Sequence, residues 1–283
     1  MPDTILANDI IHDATLDPLR QMARLLEIMR RLRDPVTGCP WDIAQNFTTI
    51  APYTIEEAYE VADAIERGAM GELEGELGDL LFQSVFHTQM AEEAGLFNFA
   101  SVAKSIADKM VSRHPHVFGD ESNAKSADQQ VSDWEKIKAA ERAARDEGRV
   151  LDGVAPGLPA LMRAVKLQKR AARVGFDWPE VDQVLDKLAE EAREVAEARD
   201  TLTPDDLEEE VGDLLFVVAN LARHLKVDPE VALRRANQKF IRRFNGIEDR
   251  LAAQGKTPAQ STLDEMDAIW NEIRQADKAA KAT

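Results

Sequence analysis

The sequence predicts an all-α protein, built as a tandem repeat of two helical-bundle domains of the four-helix type. Apolar residues recur at the three- and four-residue spacing of a helix, and alternating strand-like patterns are scarce. This spacing runs through nine apolar positions: Leu185, Leu188, Ala192, Val195, Leu207, Val211, Leu214, Val218 and Leu221. The duplication is indicated by residues 56–82, whose pattern returns at residues 190–216.

A segment rich in proline and glycine separates the two copies. Residues 153–159 are Gly-Val-Ala-Pro-Gly-Leu-Pro, and prolines and glycines at this density end a helix. We therefore predict an N-terminal domain over residues 1–150 and a C-terminal domain over residues 151–283, joined by this linker. The charged stretch over residues 135–149 predicts a helix directly before it.

The charge of the chain argues against nucleic-acid and membrane partners. The formal net charge is −17, so a polyanionic surface would repel the protein. The single cysteine, Cys39, cannot form an intrachain disulfide and fits a reducing compartment. The first residues include Asp3, Asp9 and Asp13, and they lack the basic start and apolar run of a signal peptide. We therefore expect a cytoplasmic protein that binds neither nucleic acid nor a membrane.

A set of carboxylates is retained in both copies of the repeat. The pattern is Glu-Glu-x-x-Glu followed by Glu-x-x-Asp on the next predicted helix. The first copy holds Glu56, Glu57, Glu60, Glu76 and Asp79, and the second holds Glu190, Glu191, Glu194, Glu210 and Asp213. Adding 134 to each position of the first copy yields the second. Because neighbouring positions differ between the copies whereas these acids do not, the pattern indicates a function for the carboxylates.

Helix geometry places the acids of each copy together. We expect a helical hairpin in each copy, with Gly68 ending the first helix of one and Thr203 capping the second helix of the other. Acids three residues apart share a helix face. In each copy the two acid pairs lie equally far from the turn, roughly 12 Å along each helix. Folding the hairpin therefore brings four carboxylates to one level, beside the predicted apolar stripe.

Four converging carboxylates favour a hard divalent cation. Their mutual repulsion requires cations or protons, and all-oxygen ligation without histidine or cysteine favours Mg²⁺, with Mn²⁺ as a substitute. Acidic helices more often present a solvated face, but two copies with equal spacing and symmetry about the turn favour a metal site. His114 and His116, which are separated by Pro115, are predicted to belong to a structural loop instead.

Two cations follow each hairpin at four-residue spacing, which places them on one helix face. They are Lys109 and Arg113 in the first copy and Lys239 and Arg243 in the second. A metal site combined with lysine and arginine suits a polyphosphate, because these cations neutralise the remaining negative charge. Trp270 has two interpretations, stacking on a base or closing the bundle, and the packing role is favoured.

These motifs resemble a known family. The chain is similar to MazG-type nucleoside triphosphate pyrophosphohydrolases, which belong to the all-α NTP pyrophosphatases, and the similarity covers most of the chain. Four motifs carry it: Gly-Cys-Pro-Trp-Asp at 38–42, Pro-Tyr-Thr-Ile-Glu-Glu-Ala-Tyr-Glu at 52–60, Arg-His-Pro-His-Val-Phe at 113–118 and Glu-Glu-Glu-Val-Gly-Asp-Leu-Leu-Phe at 208–216. The resemblance implies a MazG-like domain in each half, a homodimer, and the main activity in the C-terminal half.

The resemblance also implies a role for individual residues. It implies that Mg²⁺ is held by Glu191, Glu194, Glu210 and Asp213. It implies that the nucleotide is bound by Lys187, Glu190, Glu191, Glu209, Asp213, Lys239, Arg243 and Trp270. The predicted catalytic set is Glu190, Glu191, Glu194, Glu210, Asp213, Lys239 and Arg243, with Glu190 as the candidate general base. The match departs at Asp206, where similar proteins often carry a lysine.

The two copies differ at one predicted cation. Lys187 stands three residues before Glu190, whereas the equivalent position of the first copy is Tyr53. We therefore predict a weaker or purely structural second metal site in the N-terminal domain. Its ligands would be Glu57, Glu60, Glu76 and Asp79.

The function that the resemblance implies is Mg²⁺-dependent hydrolysis of nucleoside triphosphates to nucleoside monophosphate and pyrophosphate. We expect water attack at the α-phosphorus, a broad base range and a role in nucleotide-pool house-cleaning. One alternative narrows the substrate to dUTP, dCTP or phosphoribosyl-ATP. A second alternative is a non-catalytic helical dimer that binds Mg²⁺ structurally and docks a regulatory protein. The paired lysine and arginine argue against the second alternative, because a structural metal site needs no cations for a polyphosphate.

Overall fold

A computed structural model of the protein describes residues 17–119, 149–201 and 203–280, together with Ser126, Gln129, Gln130, Asp133, Trp134 and Ile137. Every regular element in these residues is helical, which confirms the predicted all-α class. The chain forms two compact units, Met1–Lys138 and Ala139–Thr283. Within the described residues, no helix combines the length and apolar character needed to cross a membrane.

The division between the units lies ahead of the predicted domain boundary at residue 150. The predicted linker, residues 153–159, forms turns before the helix that begins at Ala160. The charged helix predicted over residues 135–149 lies outside the described residues, apart from Ile137 and Arg149. The acidic beginning of the chain, residues 1–16, also lies outside them.

The N-terminal unit is built around a helical hairpin. Its described helices are α1 (Pro18–Leu32), α2 (Pro40–Ala44), α3 (Phe47–Arg67), α4 (Met70–Glu93), α5 (Phe99–Arg113) and the single turn α6 (Pro115–Phe118). Helices α3 and α4 pair along their lengths, and α1 and α5 pack against α4. The core joins α1, α3 and α4 through five buried side chains: Met29, Ile50, Val85, Phe86 and Met90.

Arg33 ties together three segments at one end of this unit. Its guanidinium forms an ion pair with Glu93 at 2.7 Å and donates a hydrogen bond to the backbone carbonyl of Asp42. The Arg33 side chain exposes only 8% of its surface. Because the charge is nearly buried, loss of Glu93 would leave it uncompensated, so this pair holds the ends of α1, α2 and α4 in register.

The C-terminal unit repeats the hairpin and adds a second pair of helices. Its elements are α7 (Ala160–Ala172), α8 (Val181–Thr201), α9 (Pro204–His224), α10 (Pro229–Ala252), a 3₁₀ turn (Pro258–Gln260) and α11 (Leu263–Ala280). Helices α8 and α9 pair, α7 packs against α9, and α10 pairs with α11. Ile247, Leu251 and Ile269 form the buried contact between α10 and α11.

The predicted turns within both hairpins are confirmed. Gly68 has a φ of 68°, the left-handed conformation in which glycine ends a helix without steric cost. Thr203 caps α9, and Pro204 occupies its first turn. The carboxylate of Asp206 accepts hydrogen bonds from the backbone N–H and the hydroxyl of Thr203, at 3.1 and 2.6 Å. Asp206, where the resemblance to the family departs, therefore completes a capping box.

The predicted apolar stripe of the second hairpin is only partly buried, so this part of the prediction is wrong. Leu185, Val211 and Val218 expose 44, 40 and 38% of their surfaces. The buried positions of α8 are Val184, Glu191 and Ala198, which lie on a neighbouring face of the helix. The reason is that α7 covers only one side of the hairpin, which leaves the other apolar face exposed in a single chain.

The substitution Phe86→Ala is expected to destabilise the N-terminal unit by about 3–5 kcal/mol, because it leaves a cavity in the core. Phe97→Ala is the matched control, since Phe97 already exposes 47% of its surface. Urea unfolding followed by circular dichroism measures both variants. Equal shifts of the unfolding midpoint in the two variants would contradict the assignment of Phe86 to the core.

Candidate metal and nucleotide site

The hairpin of the C-terminal unit brings three carboxylates to one point. Glu191 and Glu194 lie one turn apart on α8, and Glu210 lies on α9. One carboxylate oxygen from each of the three falls within 4.8 Å of the others. Glu191 exposes only 4% of its surface. Antiparallel pairing about the turn sets these acids at one level, as their equal distance from the turn predicts.

The N-terminal unit forms a related cluster from different members of the motif. Glu57 from α3 joins Glu76 and Asp79 from α4, again with oxygens within 4.8 Å of one another. Glu60 lies one turn after Glu57 on α3, and its carboxyl group helps to raise the pKa of Glu57. Each unit therefore gathers three of its four predicted ligands within this distance.

Asp213 is the predicted ligand outside the C-terminal trio. It lies on α9 one turn beyond Glu210, and its side chain is exposed. Its equivalent in the N-terminal unit, Asp79, belongs to the trio there. The two sites thus share a backbone arrangement but differ in which aspartate or glutamate turns inwards. Asp213 remains a predicted ligand, at the open side of the site.

Burial and mutual repulsion act on the carboxylates of both clusters. Burial, together with Glu191, raises the pKa of Glu194 against the opposing charge of Lys187. Burial and contact with Glu60 raise the pKa of Glu57, and burial and the charge of Glu60 raise the pKa of Glu76. A raised carboxyl pKa means that these groups bind a proton more readily than a carboxylate in water does. The donor set, which consists of carboxylate oxygens alone, fits Mg²⁺ or Mn²⁺.

Lys187 lies at the edge of the C-terminal cluster. Its ammonium group is 2.7 Å from a carboxylate oxygen of Glu190 and 2.7 Å from one of Glu191. These two contacts raise the pKa of Lys187, so its positive charge is secure at neutral pH. The structure thereby joins two predicted nucleotide-site residues, Lys187 and Glu190, to the carboxylate trio. Glu209, the adjacent predicted contact, is exposed on α9.

The remaining predicted nucleotide contacts form a separate group on α10 and α11. The guanidinium of Arg243 lies 5.2 Å from the centre of the Trp270 ring, and its Nε donates to Asp277 at 2.8 Å. Lys239 lies one turn before Arg243 on α10 and is exposed. Among the described residues, Arg243 pairs with these partners rather than with the carboxylate cluster. Trp270 also packs against Phe240 and the α10–α11 core, as the favoured packing role predicts, while part of its ring stays accessible.

Two polar residues that the sequence did not single out contact these groups. Asp277 accepts hydrogen bonds from Arg242 and Arg243, and these contacts lower its pKa to about 2. Gln83 donates to Glu57 at 3.3 Å, while its own side-chain oxygen is buried without a partner. Comparison of the two copies could have singled out Gln83, because the polar Gln83 stands where the second copy has the apolar Val217.

The histidines after α5 pack against a tryptophan. The His114 ring lies 5.1 Å from the Trp134 ring and 5.7 Å from the His116 ring, and its Nδ1 contacts the carbonyl of Met110 at 2.7 Å. Among the described residues, neither candidate metal cluster contains a histidine. The prediction that these histidines lie in a loop is wrong about the backbone conformation, because Pro115 begins the one-turn helix α6.

Comparison with known proteins places these two hairpins in one family. A model of the MazG nucleotide pyrophosphohydrolase domain matches residues 45–118 and residues 180–247. The two matched segments contain the N-terminal and C-terminal carboxylate clusters, respectively.

Several bacterial relatives extend the similarity over the length of the chain. The chain is 51% identical over 259 residues to the nucleoside triphosphate pyrophosphohydrolase of Escherichia coli strain K12, covering 91% of this chain and 98% of that protein. It is 41% identical over 254 residues to the nucleoside triphosphate pyrophosphohydrolase/pyrophosphatase MazG of Thermotoga maritima, covering 90% and 96%. The nucleoside triphosphate pyrophosphohydrolase of Mycobacterium tuberculosis is 36% identical over 186 residues, covering 61% of this chain and 56% of that protein.

The domain model matches twice, each match contains one carboxylate cluster, and the similarity to the Escherichia coli protein covers 91% of the chain. The chain therefore belongs to the MazG nucleotide pyrophosphohydrolase family.

Proposed function

We propose that the C-terminal unit hydrolyses nucleoside triphosphates to nucleoside monophosphate and pyrophosphate with the help of Mg²⁺. The observation that carries this proposal is the convergence of Glu191, Glu194 and Glu210 within 4.8 Å beside Lys187. These carboxylates, with Asp213, would hold the metal ion. When bound, Mg²⁺ supplies Lewis-acid neutralisation of the phosphate oxygens. Family membership and the names of the relatives support the same reaction.

The proposed reaction is attack of water on the α-phosphorus. A bond forms between the water oxygen and phosphorus, and the bond from phosphorus to the bridging oxygen of the β-phosphate breaks, which releases pyrophosphate. Glu190 is the proposed acceptor of the water proton, because Lys187 holds its carboxylate at 2.7 Å beside the cluster. Lys187 is also proposed to neutralise charge on the phosphates, because its ammonium group lies beside the carboxylate cluster.

Lys239 and Arg243 are proposed to bind the pyrophosphate part of the substrate. Arg243 is held in place by Asp277 and Trp270, so its guanidinium is ordered before substrate arrives. We further propose a homodimer, in which a second copy covers the exposed apolar face of the hairpin. Val211, Leu215 and Val218 expose between 38 and 50% of their surfaces on this face. An apolar face of this kind is typical of a protein interface.

A broad base range follows from the proposed base contact. Trp270 is an aromatic surface flanked by Phe240 and Arg243, and stacking on an aromatic ring discriminates poorly between bases. This range suits removal of many unwanted nucleotides from the pool, which is the proposed cellular role.

The N-terminal cluster is proposed to hold a metal ion without hydrolysing a nucleotide. Tyr53 replaces Lys187 there, and its ring contacts Trp41 at 6.2 Å. Gln83 supplies a neutral side chain with an unpartnered oxygen beside Glu57. A neutral amide oxygen is a suitable ligand for a hard cation, whereas the site lacks the lysine that would attract a triphosphate.

The substitution Glu194→Gln is expected to lower the rate of pyrophosphate release from ATP by about 100-fold or more, because it removes a metal ligand and one negative charge. The assay measures pyrophosphate and orthophosphate separately, in the full-length protein with Mg²⁺. Glu60→Gln, the equivalent change in the first copy, is the matched control and should keep most activity. Full activity in Glu194→Gln together with loss in Glu60→Gln would place the active site in the N-terminal unit instead.

A panel of ATP, GTP, CTP, UTP, dUTP and dCTP tests the proposed base range. We expect kcat/KM values within about tenfold of one another, because stacking supplies little discrimination between bases. Phosphoribosyl-ATP is added to the panel to test a substrate-specific enzyme. Cleavage of a single member at more than about a thousandfold advantage would replace the broad function with that specific one.

Binding of Mn²⁺, measured by electron paramagnetic resonance, is expected to show metal ions at both clusters. Glu57→Gln should remove the N-terminal site and Glu191→Gln the C-terminal site, since each change removes a ligand. Gln83→Val should weaken only the N-terminal site, by about tenfold. Glu209→Gln is the control for loss of surface charge. If Glu57→Gln leaves the number of bound ions unchanged, the N-terminal cluster is not a metal site.

A further inference from the structure

A second cavity, lined by lysines, lies in the C-terminal unit away from the carboxylate cluster. It has a volume of about 550 Å³ and lies between α7 and the turn that joins α9 to α10. Lys166 and Lys169 line it from α7, and Lys226 lines it from the turn. Met162 and Val165 provide an apolar wall. The cavity begins near the end of α9, roughly 20 Å along that helix from the carboxylate trio.

The charges around this cavity do not cancel. Helix α7 and its C-cap carry five cations and no acid, in a chain of net charge −17; they are Arg163, Lys166, Lys169, Arg170 and Arg173. Lys166, Lys169 and Lys226 form no ion pair with any described residue. The cavity therefore has three ammonium groups available for a ligand.

The other charged groups at the cavity already have partners. Arg223 pairs with Asp177, so this cation and this anion neutralise each other. The carboxylate of Asp228 accepts hydrogen bonds from the backbone N–H groups of Glu230 and Val231, at 2.9 and 3.1 Å, as the N-cap of α10. Glu230 itself accepts a hydrogen bond from the Met162 N–H at 3.4 Å.

Lys226 adopts a backbone conformation that favours glycine. Its φ is 57°, and among the described residues it is the one residue other than glycine with a positive φ. The equivalent turn in the fold of the N-terminal unit, which follows α4, uses Gly95 with a φ of 68°, although the two positions are not 134 residues apart. Both turns close with the same hydrogen bond, from Val227 N–H to the Ala222 carbonyl at 2.8 Å and from Leu96 N–H to the Ala91 carbonyl at 2.9 Å.

A side chain in the left-handed region costs free energy that glycine avoids. Strain of this kind is concentrated at functional positions, where the side chain is needed. The presence of lysine at position 226, in place of the glycine of the equivalent turn, therefore points to a role for its ammonium group.

We propose that this cavity binds a small phosphate-bearing anion with at least two negative charges. The three lysines supply flexible point charges, which suit phosphate groups approached from several sides. The volume admits a compact anion such as pyrophosphate or a nucleoside monophosphate. This site would be separate from the proposed hydrolytic site and would need no metal ion.

Isothermal titration calorimetry with pyrophosphate tests the proposal in the full-length protein. EDTA is present throughout, so that metal-dependent binding at the carboxylates is removed. Lys226→Gly and the double variant Lys166→Gln/Lys169→Gln should each weaken binding by about tenfold or more, because charge-assisted contacts are lost. Lys256→Gln is the control, since Lys256 pairs with Glu265 away from the cavity. AMP is the second probe and distinguishes a free pyrophosphate ligand from a nucleoside phosphate.

The variant Lys226→Gly also separates loss of binding from loss of folding. It restores the glycine of the equivalent turn, so the unfolding temperature without ligand should stay equal or rise. The proposal is overturned if the wild-type protein binds neither probe at millimolar concentration, or if both cavity variants bind pyrophosphate as well as wild type. It is also overturned if binding is lost in Lys239→Gln instead, because the anion would then occupy the proposed nucleotide site.

Discussion

Carboxylates from two antiparallel helices meet within 4.8 Å in each unit, and one of them, Glu191, is almost completely buried. Such a cluster is unstable in isolation, because like charges repel and burial disfavours the charged form. A neighbouring side chain supplies part of the positive charge that the cluster requires. Lys187 contacts Glu191 of the cluster and the neighbouring Glu190, and burial still raises the pKa of Glu194. The chemistry proposed for the protein depends on a metal cation that these carboxylates would bind.

The helical hairpin brings carboxylates together in both copies of the repeat. Its turn is set by a left-handed Gly68 in one unit and by the capping box of Thr203 and Asp206 in the other. These are different chemical solutions to the same requirement, which is to end one helix and begin the next with the acids level. The turn sequences have therefore diverged while the positions of the carboxylates relative to the turn have not.

The two copies also differ in side chains outside the shared acids. Tyr53 stands in place of Lys187, and Gln83 in place of Val217. The glycine that ends the hairpin at Gly95 is matched by the strained Lys226. Each change alters local charge or polarity without altering the hairpin. A duplicated fold can in this way keep one metal-binding framework while the two units acquire different ligands, because function depends on side chains that the framework does not constrain.

The sequence by itself determined the helical class, the duplication, both turns and the level at which the acids meet, because these follow from helix periodicity and local capping. Tertiary structure decided which face of each helix is buried. Glu191 lies inside, whereas the predicted stripe residue Val211 is exposed, because packing against α7 selects one side of the hairpin. Packing also decided the choice of inward-facing acids and the contact of Arg243 with Asp277. These features depend on neighbours that are distant in sequence, and no local pattern specifies such neighbours.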